Sequence, residues 1–202
     1  MTTRPRNAQK TRARILDTAR RLFAEQGIDV SLRVIATAAG VSHGLIQQYF
    51  GTREGMVGAI IKREIDAVMS APAGDLGELD RLRSMLREGS DAFRDFAAII
   101  ARAELAGVAP ETMLDPAATT PAMHLASVIS GLQAKCKHPA TAALDPKLVS
   151  AYVNAALFAF ATMAPWLMTS VGLRPSDYEK RKDEIADITV ALIQLASGAS
   201  LR

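Results

Sequence analysis

Cysteine is almost absent from the chain, with Cys136 the single one. No intrachain disulfide can form, which excludes disulfide-stapled scaffolds and points to a reducing compartment, the cytoplasm. Aromatic residues are scarce at 5%, with Trp166 the one tryptophan. The 49% hydrophobic and 22% charged content over 202 positions excludes disordered and fibrous classes and allows a sizeable core in one large domain or two small ones. The polar, basic stretch from Met1 to Arg14 has no apolar run behind it, so no secretory signal is expected. The longest apolar run, Ala155 to Met168, is broken by Thr162 and Pro165 and falls short of the roughly 20 residues that span a bilayer. A buried helix and no membrane partner are expected.

Signatures of catalysis and metal binding are also missing. The three histidines, His43, His124 and His138, lack the spacing of a metal site, and Cys136-Lys137-His138 is an isolated cluster. No P-loop, no dinucleotide-binding glycine pattern and no nucleophile elbow occurs, so the expectation is no metal, no cofactor and no enzyme.

What is present is a lopsided charge. Residues 1–63 hold eleven Lys and Arg against four Asp and Glu, whereas the remainder is mildly acidic within a total of +3. A basic head on an acidic body suits a polyanion partner.

Punctuation then sets the layout as all-α. Ile15, Leu16, Ala19, Leu22 and Phe23 give one apolar stripe to a helix over 12–26, closed by Gly27. Ser31 caps a short helix to about Ala39, Gly40-Val41 turns the chain, and Ser42 opens a second short helix to about Phe50. Thr52 caps a longer helix over 53–70. Pro72, Gly74 and Gly77 mark a composition change, followed by helical segments at about 78–106, 121–136, 146–171 and 176–197. The expected organisation is a head at 1–52 with a basic arm at 1–10, a connecting helix at 53–70 and a body at 71–202.

Two short helices around a glycine turn have helix-turn-helix spacing. Ala36 lets the helices cross closely, and Val41 and Ile46 fill the space beneath. The outer face of the second helix carries His43, Gly44, Gln47 and Gln48, sized for a major groove about 12 Å wide.

The stretch from Val34 to Phe50, followed by Thr52-Arg53-Glu54, resembles the DNA-binding head of the TetR family of transcriptional regulators. The match rests on Ile35-Ala36, Ala39-Gly40-Val41-Ser42, Gly44 and Tyr49-Phe50, and covers roughly residues 8–60. Beyond that, the resemblance extends only to length and helical character. It implies that Arg33, Ser42, His43, Gly44, Leu45 and Gln48 meet bases or adjoining backbone, and that Ser31, Tyr49 and Arg53 meet phosphates. Arg53 also stands at a helix N-terminus, where free N–H groups attract an anion. The arm residues Arg4, Arg6, Lys10 and Arg12 add non-specific contact. In two places the chain departs from the family: Gln47 stands where a phosphate-contacting tyrosine is usual, and Leu32 where a threonine is common. Gln47 is chemically able to read an adenine instead.

The resemblance further implies a homodimer on a double-stranded operator and a small-molecule effector that relieves repression. Ile185, Ile188, Leu192 and Leu195 form a 3-4-3 apolar seam suited to a partner helix. Phe93, Phe96, Met113, Met123, Phe158, Met163, Trp166 and Met168 are soft, large residues able to line a pocket, with His124 a polar anchor. Pro165 predicts a kink in its helix. With no charged cluster in the apolar segments, the effector is expected to be apolar or amphipathic. The rival reading is a helical ligand-binding or enzymatic protein with an incidental basic head. Within the regulator class, an activator or a regulator without an effector stays open.

Overall fold

The computed structural model describes residues 3–70, 77–88, 91–115, 117–135 and 144–198, with side chains described for these except 3–6, 78, 85, 86, 88, 91 and 92. Every regular element among the described residues is helical. In chain order they are α1 (Thr3–Gln26), α2 (Leu32–Ala39), α3 (His43–Phe50), α4 (Arg53–Ser70), α5 (Glu78–Glu88), α6 (Asp91–Leu105), a 3-10 turn (Pro110–Thr112), α7 (Pro121–Lys135), α8 (Pro146–Ser170), α9 (Asp177–Lys180) and α10 (Lys182–Ser197). The chain divides into two compact units, one of residues up to 67 with 91–118, the other of 68–90 with 119 onward. This grouping differs from the expected body at 71–202, because α6 packs on α1 and belongs with the head.

The first unit is built around one core. Ile15, Leu16, Ala19 and Phe23 of α1 meet Ile35, Ala36 and Ala39 of α2, Ile46 and Phe50 of α3, Met56, Val57, Ile60 and Ile61 of α4, and Ile99 and Ala103 of α6. Three- and four-residue spacing on each helix creates these stripes, and burial of each large side chain is worth about 1.5–3 kcal/mol. Two cross-links at the rim tie α1 to its neighbours: Arg63 of α4 to Asp17 at 2.9 Å and Arg20 to Asp95 of α6 at 3.7 Å. The expected basic arm is not a separate element, since α1 already begins at Thr3.

In the second unit α5 and α7 pack on α10, and α7 on α8. Ile129, Val153 and Ile193 form the core, flanked by Leu79, Leu82, Leu125, Val149 and Leu157. Ser150, buried on α8, donates its hydroxyl to the Ala122 carbonyl at 2.7 Å, which satisfies a polar group at the α7–α8 contact. Arg83–Asp187 at 3.0 Å and Arg87–Asp183 at 2.8 Å run along α5 and α10. The kink expected from Pro165 is present: Met163 leaves helical geometry at φ −135°, ψ 25°, two residues ahead of the proline.

Three expectations are corrected. The segment 78–106 is two helices, α5 and α6, and 176–197 is also two, broken at Arg181. The apolar segment near Trp166 belongs to a 25-residue helix, so α8 is long and apolar enough by length and composition to cross a membrane, with 17% of its most apolar window buried. The polar Lys147, Asn154 and Thr162 lie within it. Cys136, His138, Pro72, Gly74 and Pro116 lie outside the described residues.

Candidate nucleic-acid interface

Local chemistry sets the ends of α2 and α3. The Val34 N–H donates to Ser31 Oγ and the Leu45 N–H to Ser42 Oγ, both at 3.3 Å, so each short helix starts on a serine cap. Between them Gly40 adopts φ 64°, ψ 42°, a left-handed conformation that glycine takes without a Cβ penalty, and its N–H closes α2 on the Ala36 and Thr37 carbonyls. The small Ala36, 3% exposed, allows the tight crossing.

The buried pair Ile46 and Phe50 then fixes the rotation of α3. Gly44, Gln47 and Gln48 are exposed on its outer side, and His43, Leu45 and Tyr49 are half-buried. Tyr49 packs against the core with its ring centroid 6.0 Å from that of Phe50. Arg33 is exposed on α2, and Ser31 and Ser42, although exposed, have their hydroxyls engaged as caps. All ten residues expected to contact DNA therefore lie in the first unit, on or beside α2, α3 and the start of α4.

Two of the expected cations hold intramolecular partners that the sequence did not announce. Arg53 at the start of α4 donates from Nη1 to Asp29 Oδ1 at 2.9 Å and to the Ile28 carbonyl at 3.4 Å. Arg12 places its guanidinium carbon 5.3 Å from the centroid of the Phe50 ring. Next to Arg53, Glu54 is held below the ordinary carboxylate range, first by a backbone N–H and then by the Thr52 hydroxyl, against an opposing desolvation that outweighs the lesser help of the Arg53 charge. Thr52 also caps α4, accepting from the Gly55 N–H at 3.1 Å.

A cleft of about 210 Å3 opens beside this cluster, with Asp29, Arg53 and Glu54 charged among apolar residues that include Ile28, Val57 and Met113. Of the residues expected to line an effector pocket, Met113 alone lines it. Phe93 and Phe96 share the first unit with Met113, and their ring centroids stand 6.2 Å apart. Met123, His124, Phe158, Met163 and Trp166 are in the second unit, where Met123, His124, Met163 and Trp166 are exposed, Phe158 is half-buried and Met168 is buried. The expected pocket residues are thus divided between the units. The seam on α10 is mostly outward-facing: Ile188, Leu192 and Leu195 are exposed and Ile185 is half-buried, while Ala186, Val190 and Ile193 face the core. Among the described residues no group of three His, Cys, Asp or Glu side chains is placed to hold a metal.

A helical head with serine-capped α2 and α3 meeting at a left-handed glycine is a helix-turn-helix unit. Residues 15–60 match the family described as bacterial regulatory proteins, tetR family. A stretch of 58 residues is 41% identical to an HTH-type transcriptional repressor of Mycobacterium tuberculosis, covering 28% of this chain and 31% of that protein. The chain thus spans about a third of the length of this relative. Over nearly the whole chain the fold is similar to a Rhodococcus protein classed with the TetR-family regulators, with TM-score 0.63, 22% identity and coverage of 90% of this chain and 99% of the other. It is also similar to the fatty acid degradation regulator FadR of Bacillus halodurans, with TM-score 0.60, 20% identity and coverage of 87% and 93%. Residues 15–60 thus carry a head similar to that of the tetR family, and over most of its length the chain has a fold similar to that of a solved regulator classed with that family.

Proposed function

We propose that the protein is a sequence-specific, DNA-binding transcriptional regulator, a cytoplasmic homodimer that represses from an operator and is released by a small apolar or amphipathic effector. The observation that carries the DNA-binding part is the outer face of α3. Ile46 and Phe50 anchor the helix from below, leaving Gly44, Gln47 and Gln48 exposed on a rigid element at the width of a major groove. Beside that face Arg33, Ser42, His43 and Leu45 meet bases or adjoining backbone, and Ser31, Tyr49 and Arg53 meet phosphates. Repression is supported by the name of the Mycobacterium tuberculosis relative.

Dimerisation is supported by the outward seam of α10 and by exposed Leu148, Tyr152 and Trp166 on α8, since soluble proteins rarely leave contiguous apolar faces uncovered. The same packing accounts for the apolar character of α8 without a membrane. An effector acts by preferring the body conformation in which the two heads no longer match the half-site spacing. The lack of a charged cluster in the apolar segments of the body supports an apolar or amphipathic effector.

Fluorescence anisotropy against the DNA upstream of the protein's own gene and a scrambled duplex, over a salt series, tests the proposal. Preference for the native fragment, with affinity falling about 0.9 log units per log unit of salt for each phosphate contacted, is the expected result. Equal binding to both duplexes, together with no duplex enriched from a random pool, overturns it.

A further inference from the structure

The outer face of α3 carries no carboxylate, lysine or arginine: the helix reads His-Gly-Leu-Ile-Gln-Gln-Tyr-Phe, and its exposed positions are Gly44, Gln47 and Gln48. We infer that this face reads A·T base pairs, with the Gln47 and Gln48 amides as the specificity-determining groups. The inference rests on the DNA-binding function proposed above. Guanine presents two acceptors to the major groove and is matched by Arg or Lys, and the cytosine amino group is matched by a carboxylate. Adenine presents one acceptor, N7, and one donor, N6, side by side. A primary amide offers the complementary donor and acceptor in a single plane, and α3 exposes two of them.

Gly44 makes their approach possible. It sits in the first turn of α3, three residues ahead of Gln47 and four ahead of Gln48, the spacings that put side chains on one face of a helix. A Cβ added there meets nothing within 4 Å, so nothing inside the protein calls for glycine at this position. Open space alone marks no contact, because Gly131 on α7 has it too. Gly44 differs in lying beside the two amides, where a missing side chain brings the backbone against the groove floor and both amides within reach of base edges. Charge is supplied from outside the reading face, by Arg12 and Arg53 on the flanking helices, and it contributes affinity without sequence preference.

Selection of the full-length protein on a random duplex pool at fixed salt, repeated with Gln47→Ala, Gln48→Ala, Gln47→Glu and Gly44→Ala, tests this. The expected wild-type half-site holds A·T pairs at two positions, with each Gln→Ala relaxing the preference at one of them by about tenfold. Gln47→Glu moves its position toward C·G. Gly44→Ala keeps or raises the melting temperature while lowering operator affinity, which a purely structural glycine would not do. G·C-centred half-sites that both Gln→Ala variants still select overturn the inference and leave the DNA-binding reading standing. Failure of the wild type to enrich any duplex overturns both.

Discussion

Arg53 and Asp29 are joined at 2.9 Å across 24 residues of sequence, a guanidinium at the start of α4 on a carboxylate in the loop before α2. Asp29 is 90% exposed and Arg53 39%, so the pair is solvent-screened and weak, of the order of 0.2–1 kcal/mol. A phosphate arriving at the N-terminus of α4 competes with Asp29 for the same cation, and Asp29 adds local repulsion. Asp29→Asn is therefore expected to tighten DNA binding by about two- to fivefold at low salt, an advantage that shrinks as salt screens it. Arg53→Ala is expected to weaken binding uniformly across sequences and to lower the salt slope by about one phosphate. Anisotropy titrations at several salt concentrations read both effects, and an Asp29→Asn affinity equal to wild type would show that the carboxylate does not compete.

The pairing of these two residues marks where sequence reasoning stops. Helix starts and stops were legible because they are local: Ser31, Ser42 and Thr52 cap within three residues, and Gly40 ends α2 by its own backbone freedom. The kink of α8 was legible from Pro165 alone. Asp29 was not, since a loop carboxylate carries no periodicity that ties it to position 53. The placement of α6 was hidden for a related reason. An apolar stripe through Ile99 and Ala103 says that a face is buried, and it reads the same whether α1 or the body covers it. The soft residues Met123, Met163 and Trp166 suit a pocket wall by chemistry, yet all three are exposed. Composition cannot distinguish a pocket wall from an outer face.

Gly55 and Gly131 are both helical glycines, and their surroundings predict opposite outcomes. A Cβ at Gly55 falls well under 3.0 Å from the Phe50 carbonyl oxygen, a backbone atom that cannot swing aside. Gly55→Ala is expected to displace the start of α4 from the end of α3, costing about 1–3 kcal/mol as overpacking does and weakening DNA binding with it. Gly131→Ala meets open space in α7 and removes backbone entropy from the unfolded chain, so stability is expected to rise by up to about 1 kcal/mol with DNA binding unchanged. Urea midpoints of the two variants, read beside DNA titrations, check the contrast.

Two carboxylates are stabilised in their charged form by the fold. Glu54 in the first unit is held below its ordinary value of 4.5 mainly by a backbone N–H, and Asp177 in the second below 3.8 mainly by the Arg174 N–H at 3.0 Å. A lowered folded-state value means that the stabilisation is complete above the ordinary value and is lost as the pH falls through the folded one. Both contributions are thus constant at neutral pH and decline below about pH 4.5 for Glu54 and pH 3.8 for Asp177. Glu54→Gln and Asp177→Asn are each expected to flatten the fall in urea midpoint between pH 5 and pH 3 while leaving its shape above pH 6 unaltered. A variant with the full wild-type acid slope would show that its carboxylate is not stabilised by folding.

The outward seam of α10 turns the proposed dimer into a separable prediction. Ile188 is 60% exposed, Leu192 46% and Leu195 53%, at four- and three-residue spacing, while Val190 and Ile193 between them are buried. Charging the outer row therefore leaves the core of the protomer alone. Leu192→Glu is expected to leave the helical content intact and the protomer folded, but to shift the sedimenting species from dimer to monomer by placing a carboxylate in an apolar interface. Operator affinity should fall by more than tenfold, because one head reaches one half-site and the coupling between two tethered heads is lost. Ile193→Ala supplies the contrast: its side chain is fully buried, so it is expected to cost about 2–5 kcal/mol of protomer stability. A Leu192→Glu protein that still sediments as a dimer would place the interface on another face, with the exposed apolar residues of α8 the next to be charged.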